Sequence, residues 1–242
     1  MTPQQLPQTA ANVSAALKSL AEPGRAQNSA WFFKTGPGQY GEGDTFIGVR
    51  VPSQRKVAKQ YVDLGLHEVE KLVRSPLHEE RLTGLLILVY SFKQSDEPGR
   101  RRVYNFYLAH TSCVNNWDLV DSSASYIVGA YLADKDRSVL YDLARSDSLW
   151  ERRIAIIATM HFIGHGESKD TFAIARILLS DRHDLIHKAV GWMLREVGKS
   201  CGQEVEEQFL RAHYQSMPRT MLRYAIEHFS EDVRQQYLKG LV

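Results

Sequence analysis

The sequence predicts an all-α protein, an α-solenoid of HEAT-like antiparallel helix pairs, on three observations: helical periodicity, short loops and a repeat. Apolar residues between Leu82 and Tyr90 recur three and four positions apart, the spacing that places them on one buried helix face. No run alternates polar and apolar residues for long enough to predict a strand. The same helical spacing is found in residues 103–108, 126–132, 154–162, 172–179, 189–197 and 221–229.

The helical segments also form a repeat. A basic residue opens the apolar run of each, and these residues, Arg81, Arg153, Lys188 and Arg223, are 72, 35 and 35 positions apart. The first interval spans two units, and a period in the mid-30s with two helices per unit is typical of α-solenoids. The tetratricopeptide consensus is not visible, so a HEAT-like array is preferred. We expect a single domain over residues 1–242, disordered over about the first ten residues, whose second helices line a concave groove.

Composition excludes several classes of protein. The chain has 242 residues, 43% of them hydrophobic, and a formal net charge of +2, so attraction to a polyanion must come from local clusters of basic residues. Cys113 and Cys201 are far apart and lack C-x-x-C spacing, which fits a reducing cytosol and argues against a disulfide or metal framework. No signal peptide is recognised, and the most apolar stretch, residues 82–92, is about half the length that crosses a bilayer. We expect a cytoplasmic protein with no cofactor, metal or membrane partner.

One unit of the repeat departs from the others. It occupies residues 115–129, between the first two recognised units, and has Asp121 where a basic residue would be expected. Asn115 or Asn116 is a candidate N-cap for its helix. Trp117 lies four positions before Asp121, so the two side chains share one helix face.

Aromatic and basic residues recur on the neighbouring helices. Lys188, Trp192 and Arg195 are spaced so that they lie on one helix face. If the units stack, two tryptophans, one carboxylate and one guanidinium converge on a groove: Trp117, Trp192, Asp121 and Arg153. Basic residues that would flank this groove and follow a phosphate backbone are Arg81, Lys188, Lys199, Arg219 and Arg223.

Each of these residues also has a plain structural interpretation. A tryptophan in a helical repeat more often fills the core than forms a site, and a helical aspartate is usually solvated. The arginine that opens an apolar run can extend over the core or pair with a neighbouring acid. The residue pattern by itself therefore predicts only a HEAT-like binding module.

Two short motifs do not predict a site. Residues 36–41 match G-x-G-x-x-G, but a dinucleotide site requires a preceding strand and a βαβ rhythm, and the sequence predicts neither. His161 and His165 have the spacing of metal ligands on a helix, yet Gly164 and Gly166 end that helix and no third ligand is evident. We therefore expect a surface turn at the first motif and no metal at the second.

Four longer motifs carry a resemblance to a known family. They are FIGVRVP at residues 46–52, WDLVD at 117–121, WERRIAI at 150–156 and KAVGWMLRE at 188–196. With these motifs the chain resembles, from about Trp31 to Phe229, the AlkD branch of the DNA alkylation repair family, bacterial HEAT-like glycosylases that act on alkylated purines. A glycine-rich insertion at residues 35–44 departs from the family pattern, and Phe32 or Phe33 replaces a cleft tyrosine that some members carry there.

The resemblance implies a set of functional residues. The family's catalytic aspartate lies four residues after a tryptophan, which corresponds to Asp121 and Trp117 in this sequence. The second cleft tryptophan corresponds to Trp192 and the cleft arginine to Arg153. For contacts with DNA we take the basic residues Arg152, Lys188, Arg195, Lys34, Arg81, Arg219 and Arg223.

The resemblance also implies an activity. It is that of a monofunctional DNA glycosylase, which hydrolyses the N-glycosidic bond of cationic alkylated purines of the 3-methyladenine and 7-methylguanine type in duplex DNA. We expect a monomer that acts in the bacterial cytosol and nucleoid without a cofactor. Two alternatives stay open: a non-catalytic HEAT-like protein that binds bent, damaged or branched DNA, and a protein-interaction scaffold. The first would be expected to lack the carboxylate or a tryptophan, and the second predicts no salt-sensitive binding to DNA.

Overall fold

A computed structural model describes residues 8–242 of the chain. Within these residues the secondary structure is helical, with no strand and one isolated bridge between Thr45 and Leu77, so the predicted all-α class is confirmed. The chain divides into two compact units, one ending at Ser123 and the other beginning at Ala124. The single domain expected over residues 1–242 stays a prediction, and each unit is described by itself.

The first unit contains seven α-helices among its described residues, joined by short turns. The predicted disorder over about the first ten residues falls mostly on residues 1–7, outside the described part of the chain. Thr9 is described, and its hydroxyl accepts a hydrogen bond from the Asn12 amide at 3.3 Å at the start of the first helix. The helices are α1 Ala10–Lys18, α2 Pro23–Phe32, α3 Val51–Gln60, α4 Leu66–Val73, α5 His78–Gln94, α6 Glu97–Ala109 and α7 Trp117–Asp121, with a 3₁₀ turn at Thr111–Cys113.

Helix α5 forms the centre of the first unit. Helices α1, α3, α4, α6 and α7 all pack against it. Every residue from His78 to Val89 is buried, including the four polar residues of its first turn. Because a buried charge is costly unless it is paired, the start of α5 requires partners from other elements. Those partners come from the glycine-rich insertion and from α7.

The second unit contains eight α-helices in the described chain, and five of them, α9, α10, α11, α13 and α14, pack against α12. Helices α8 and α9 form one pair and α11 and α12 another, and the two pairs stack, with α8 on α11 and α9 on α12. The helices are α8 Ser138–Ala144, α9 Leu149–Ala158, α10 Met160–Ile163, α11 Lys169–Leu178, α12 Asp184–Cys201, α13 Gln203–His213, α14 Arg219–Ala225 and α15 Glu231–Lys239, with a 3₁₀ turn at Ile226–His228.

The repeat of basic residues has a structural counterpart in the second unit. Arg153, Lys188 and Arg223 lie on α9, α12 and α14, and α12 packs against both of the other two helices. The 35-residue interval read from the sequence thus separates helices that pack against one another, α9 with α12 and α12 with α14. This packing agrees with a helical repeat array, and the HEAT-like type of the repeat stays a prediction.

The segment after α7 is not the regular helix that the sequence predicts for residues 126–132. Residues 125–129 form a π-helical turn, in which the helix carries one extra residue per turn. Gly129 packs so closely on the carbonyl of Ala158 that a β-carbon at this position would collide with it. Close contact with α9 therefore accompanies the irregular winding, which local periodicity cannot predict.

Candidate active site

Helix α7, which carries Trp117 and Asp121, is held in place from outside. It has only five residues, and an isolated helix of that length is not stable in water. Asn116 caps it: the side-chain Oδ1 accepts a hydrogen bond from the Trp117 amide at 2.8 Å, so the predicted N-cap is confirmed. The Asn116 side-chain amide donates to Asp44 Oδ2 at 3.0 Å, and Asn116 is completely buried. The helix start is therefore tied to the end of the glycine-rich insertion.

A buried polar cluster surrounds this cap. The ring of His78 contacts two carboxylates, with its Nδ1 3.0 Å from Asp44 Oδ2 and its Nε2 2.8 Å from Asp118 Oδ2. Arg81 donates to the other oxygen of Asp44 at 2.5 Å and to the backbone carbonyl of Ser75 at 3.0 Å. We call Asp44, His78, Arg81, Asn116 and Asp118 the anchoring cluster. It joins α5, α7 and the insertion through charge-assisted hydrogen bonds.

The charges of the anchoring cluster support one another. Burial works to lower the pKa of His78, but the hydrogen bonds with Asp118 and Asp44 outweigh it and raise this pKa to about 9. Burial likewise works to raise the pKa of Asp44, but the hydrogen bond with His78 and the charge of Arg81 hold it below its ordinary value. Near neutral pH, His78 is therefore an imidazolium between two carboxylates.

Aromatic rings position Trp117 from the side. The ring of Phe33 stacks on the indole of Trp117 with centroids 5.3 Å apart, and on Phe46 with centroids 5.1 Å apart. Phe46 in turn stacks on His78 at 4.5 Å, and Phe32 meets Trp117 edge to face at 5.9 Å. The expected substitution of a tyrosine by Phe32 or Phe33 thus corresponds to two rings that both contact Trp117.

Asp121 lies at the carboxyl end of α7 and is partly exposed. Its charge acts on a buried titratable group, Tyr107, whose hydroxyl lies 3.0 Å from Ser123 Oγ. Burial raises the pKa of Tyr107, and the negative charge of Asp121 raises it further, so the phenol is neutral beside the carboxylate. Asp118, one turn earlier, is mostly buried and is bound by His78 and by the Leu119 amide. The two acids of α7 therefore have different surroundings: Asp118 has a structural role, whereas Asp121 reaches the surface.

The loop before α3 is fixed by a second acid of α5. Glu79 Oε1 accepts hydrogen bonds from the backbone amides of Gly48 and Val49 at 2.7 and 3.2 Å, and its Oε2 accepts one from Ile47 at 3.1 Å. Gly48 has φ 84° and lies against the Glu22 carbonyl, where a β-carbon would collide. The FIGVRVP motif is therefore the sequence that brings this loop onto α5 and the start of α2.

In the second unit, Trp192 is held by an acid of its own helix. Its indole Nε1 donates to Glu196 Oε1 at 3.2 Å, and the ring is partly exposed. Glu196 also receives Arg195 at 3.4 Å and Lys199 at 3.1 Å. Arg195 is paired with Glu227 as well. The indole is thus oriented on α12 beside two cations.

The two arginines of the WERRIAI motif have different surroundings. Arg153 is only 5% exposed, and its guanidinium donates to the Leu185 carbonyl at 2.5 Å, which ties α9 to the start of α12. Arg152 is partly exposed and donates to Asp181 Oδ2 at 2.6 Å and to the Asp147 carbonyl at 2.9 Å. Of the two, Arg152 lies closer to the surface.

The other basic residues expected to contact DNA fall into two groups. Lys34, Arg219 and Arg223 are exposed, and Lys188 is partly exposed and paired with Asp184 at 3.0 Å. Arg81 differs: it is 5% exposed and belongs to the anchoring cluster. The expectation that Arg81 contacts phosphate is corrected here, because its guanidinium is turned into the first unit to neutralise Asp44.

Sequence reasoning missed most of the anchoring cluster. The sequence pattern assigns no partner to Asp44, His78, Asn116 or Asp118. One signal was available: His78 lies one helical turn before Arg81, and so faces the same side of α5. Their acidic partners lie more than thirty positions away in the chain.

The two short motifs both lie within the described part of the chain. Residues 36–41 form turns between α2 and α3, with no strand before them, so the dinucleotide motif is absent as a structure. The rings of His161 and His165 lie 4.6 Å apart, and no group of three metal-binding side chains is found among residues 8–242. No described helix is both long and apolar enough to span a bilayer.

Comparisons with known proteins agree with the motifs. The family model described as "DNA alkylation repair enzyme" matches residues 13–229. A solved structure described as a "Predicted DNA alkylation repair enzyme from Enterococcus faecalis" has a TM-score of 0.68 to this chain at 14% sequence identity, covering 87% of this chain and 97% of the other. At that identity the likeness is one of fold. No curated protein matches the chain.

The fold is thus shared with a helical protein described as an alkylation repair enzyme. The chain belongs to the DNA alkylation repair enzyme family, since the family model covers all but its two ends. The resemblance drawn from the four sequence motifs is confirmed at the level of the family.

Proposed function

We propose that the protein is a monofunctional DNA glycosylase, which hydrolyses the N-glycosidic bond of cationic alkylated purines in duplex DNA, with Asp121 as the catalytic carboxylate. One observation carries the proposal: in a chain of the alkylation repair family, a partly exposed carboxylate ends a short helix that begins with Trp117 and is fixed by buried contacts. A rigidly held acid beside an aromatic ring is the arrangement that this reaction needs.

The chemistry follows from the charge of the substrate. Alkylation at N3 or N7 makes a purine cationic, so the base leaves without a general acid. The protein must then stabilise positive charge on the sugar and provide water at the anomeric carbon. A carboxylate does the first by electrostatic attraction and the second by orienting or deprotonating the water. The step consumes water alone, and the base departs with the bonding electrons.

Asp121 suits this role better than the other acids of the first unit. Asp44 and Asp118 are occupied by His78 inside the anchoring cluster, so their charges are already neutralised. Asp121 reaches the surface at the end of α7. Its charge lies near the neutral phenol of Tyr107.

Trp117 and Trp192 are proposed to contact the DNA through their π faces. Attraction between an aromatic face and a cationic sugar or base is worth about 0.5–2 kcal/mol. Phe33 supports the indole of Trp117 from one side, and Glu196 orients that of Trp192. Neither ring then needs to be ordered when DNA binds, which lowers the entropic cost of the contact.

The phosphate backbone is assigned to exposed and partly exposed basic residues. Each cation that neutralises a phosphate releases a counterion, so binding should weaken as salt is raised. Arg153 is assigned a positioning role, because its guanidinium holds α9 to the start of α12. The proposed phosphate contacts are Lys34, Arg152, Lys188, Arg195, Arg219 and Arg223.

Release of 7-methylguanine and 3-methyladenine from methylated duplex DNA tests the proposal. Replacing Asp121→Asn keeps the shape of the side chain and removes its charge, so we expect release to fall by roughly 10²- to 10⁴-fold. Asp63→Asn is the matched control, since Asp63 is an exposed aspartate of the same unit. Absence of release by the wild-type protein contradicts the glycosylase; equal release by the wild type and Asp121→Asn removes Asp121 from the mechanism.

A salt titration separates the remaining classes if no base is released. Binding to plain duplex DNA that weakens steeply with salt would indicate a non-catalytic DNA-binding protein. Absence of salt-sensitive binding would leave the protein-interaction scaffold. Arg223→Gln should lower the slope of log K against log salt by about one if this residue neutralises one phosphate.

A further inference from the structure

We propose that Trp31, together with Phe32, forms a stacking surface for the bases of duplex DNA. This inference rests on the proposed function, because it takes duplex DNA as the occupant. Trp31 is 84% exposed and Phe32 is 56% exposed, and both lie in the last turn of α2. Two neighbouring aromatic side chains so open to solvent mark an interaction site more often than a free surface.

Helix α2 has no buried residue of its own, yet both of its ends are fixed. At its start, the Glu22 amide donates to the Ile47 carbonyl at 3.2 Å, and Gly48 packs against the Glu22 carbonyl. At its end, Lys34 adopts φ 52°, and the Gly41 amide donates to the Lys34 carbonyl at 3.1 Å. The exposed rings are therefore presented on a rigid support, and a contact made by them costs little ordering entropy.

The charge around these rings favours a polyanion. Helices α2 and α3 contain no acidic residue; Arg25 on α2 is partly exposed, and Arg55, Lys56 and Lys59 on α3 are exposed. Glu22, which precedes α2, is shared between Arg25 and Arg50, each at 3.2 Å, so its charge is compensated. A second copy of the chain, docked through the same surface, would bring like charges together. Nucleic acid satisfies both the aromatic and the basic character of the surface.

The position of Phe32 connects this surface with the proposed active site. Its ring meets the indole of Trp117 edge to face at 5.9 Å. A base that stacks on Trp31 and Phe32 would therefore neighbour the nucleotide that Trp117 contacts. Loss of base pairing or stacking at a damaged site leaves an exposed base face, and an aromatic side chain can cover it with little dependence on sequence.

Binding of a duplex that cannot be hydrolysed tests the stacking surface separately from catalysis. The probe is a short duplex with a tetrahydrofuran abasic site flanked by 2-aminopurine, whose fluorescence reports stacking. We expect Trp31→Ala to weaken binding about tenfold, and Trp31→Ala with Phe32→Ala to weaken it further. Both variants should also lose the fluorescence change that accompanies binding of the wild type. Trp31→Phe should recover most of the affinity, because it keeps an aromatic face.

Leu20→Ala is the matched control, because Leu20 is another exposed apolar residue of the first unit and its loss should leave binding unchanged. The inference is overturned if Trp31→Ala and the double variant Trp31→Ala with Phe32→Ala bind the probe within about twofold of the wild type. It is also overturned if these two variants keep the 2-aminopurine fluorescence change of the wild type. Failure of the stacking surface can be distinguished from failure of the proposed function. A protein that releases no methylated purine but needs Trp31 to bind the probe keeps the stacking surface and loses the glycosylase. A protein that releases methylated purine but binds the probe equally well without Trp31 keeps the glycosylase and loses the stacking surface.

Discussion

The indole of Trp117 lies flat against the ring of Phe33, with centroids 5.3 Å apart and planes inclined by 20°. Phe33 follows directly after α2, and Trp117 is the first residue of α7. The contact joins the start of the helix that carries Asp121 to a segment more than eighty positions earlier in the chain. The orientation of the proposed catalytic helix thus depends on an aromatic packing contact as well as on hydrogen bonds.

Removal of the Phe33 ring should loosen this contact. Phe33→Ala leaves a gap between Trp117 and Phe46, and because Phe33 is only partly buried we expect a loss of about 2 kcal/mol in the free energy of unfolding. Urea denaturation measures it. Phe32→Ala is the control: that ring is 56% exposed, so its loss should cost clearly less. Equal destabilisation by the two variants would argue against a specific role for the Phe33 contact.

The stability of the first unit should depend on pH through His78. The pKa of His78 is raised from 6.5 to about 9 by its two carboxylate partners, so the folded state binds this proton more tightly than the unfolded state does. The stabilisation is complete below pH 6.5 and is lost as the pH rises through about 9, an effect on the order of 3 kcal/mol.

Chemical denaturation of the wild type and His78→Gln at a series of pH values measures this effect. The difference in free energy of unfolding should be large near pH 6 and should shrink toward pH 9. His67→Gln is the control, because His67 is an exposed histidine of the same unit. A difference that does not change with pH would mean that the buried ring is neutral.

Glu206 is expected to destabilise the folded protein at neutral and alkaline pH. It is buried at the start of α13 against Gly198, where a β-carbon would collide with its carboxyl group, and its Oε1 has no hydrogen-bond partner among the described residues. Burial, and then the charge of Glu207, raise the pKa of Glu206 to about 9. At neutral pH the folded protein therefore holds a protonated acid that would be ionised in the unfolded chain.

Because the folded pKa of Glu206 exceeds the unfolded one, its contribution to stability is present below pH 4.5 and declines as the pH rises toward 9. Glu206→Gln removes this decline, so we expect the variant to be more stable than the wild type at pH 8, by on the order of 5 kcal/mol, and similar to it near pH 4.5. Glu204→Gln is the control, because Glu204 is an exposed acid in the first turn of the same helix, and it should have little effect. A variant that is less stable at pH 8 would show that the carboxyl group is needed for packing.

Local pattern was sufficient for helices α5, α6, α9, α11, α12 and α14 and for part of the candidate site. Apolar residues three and four positions apart predicted the helices, because the buried face of a helix is defined by neighbours in the chain. The cap at Asn116 and the common helix of Trp117 and Asp121 followed from the same local rules. The π turn at Ser125–Gly129 did not; it is accompanied by the close approach of Gly129 to Ala158, a contact between residues far apart in the chain.

Arg81 marks the limit of such reasoning. In the sequence it opens an apolar run just as Arg223 does, and both were expected to contact phosphate. In the structure Arg223 is exposed, whereas Arg81 is buried and paired with Asp44. The two arginines differ only in what the rest of the chain places beside them.

By itself, the sequence determined the all-α class, the interval between the basic residues and the family, all of which depend on residues close together in the chain or on motifs read in order. Only the tertiary structure decided which charges are structural. Asp44 meets Asn116 across 72 positions and His78 across 34, and those contacts bury the group and neutralise it. Asp121, by contrast, lies at the carboxyl end of α7 and is partly exposed. Burial and charge pairing are properties of the folded chain, since desolvation depends on every element packed around a group and not on its neighbours in sequence.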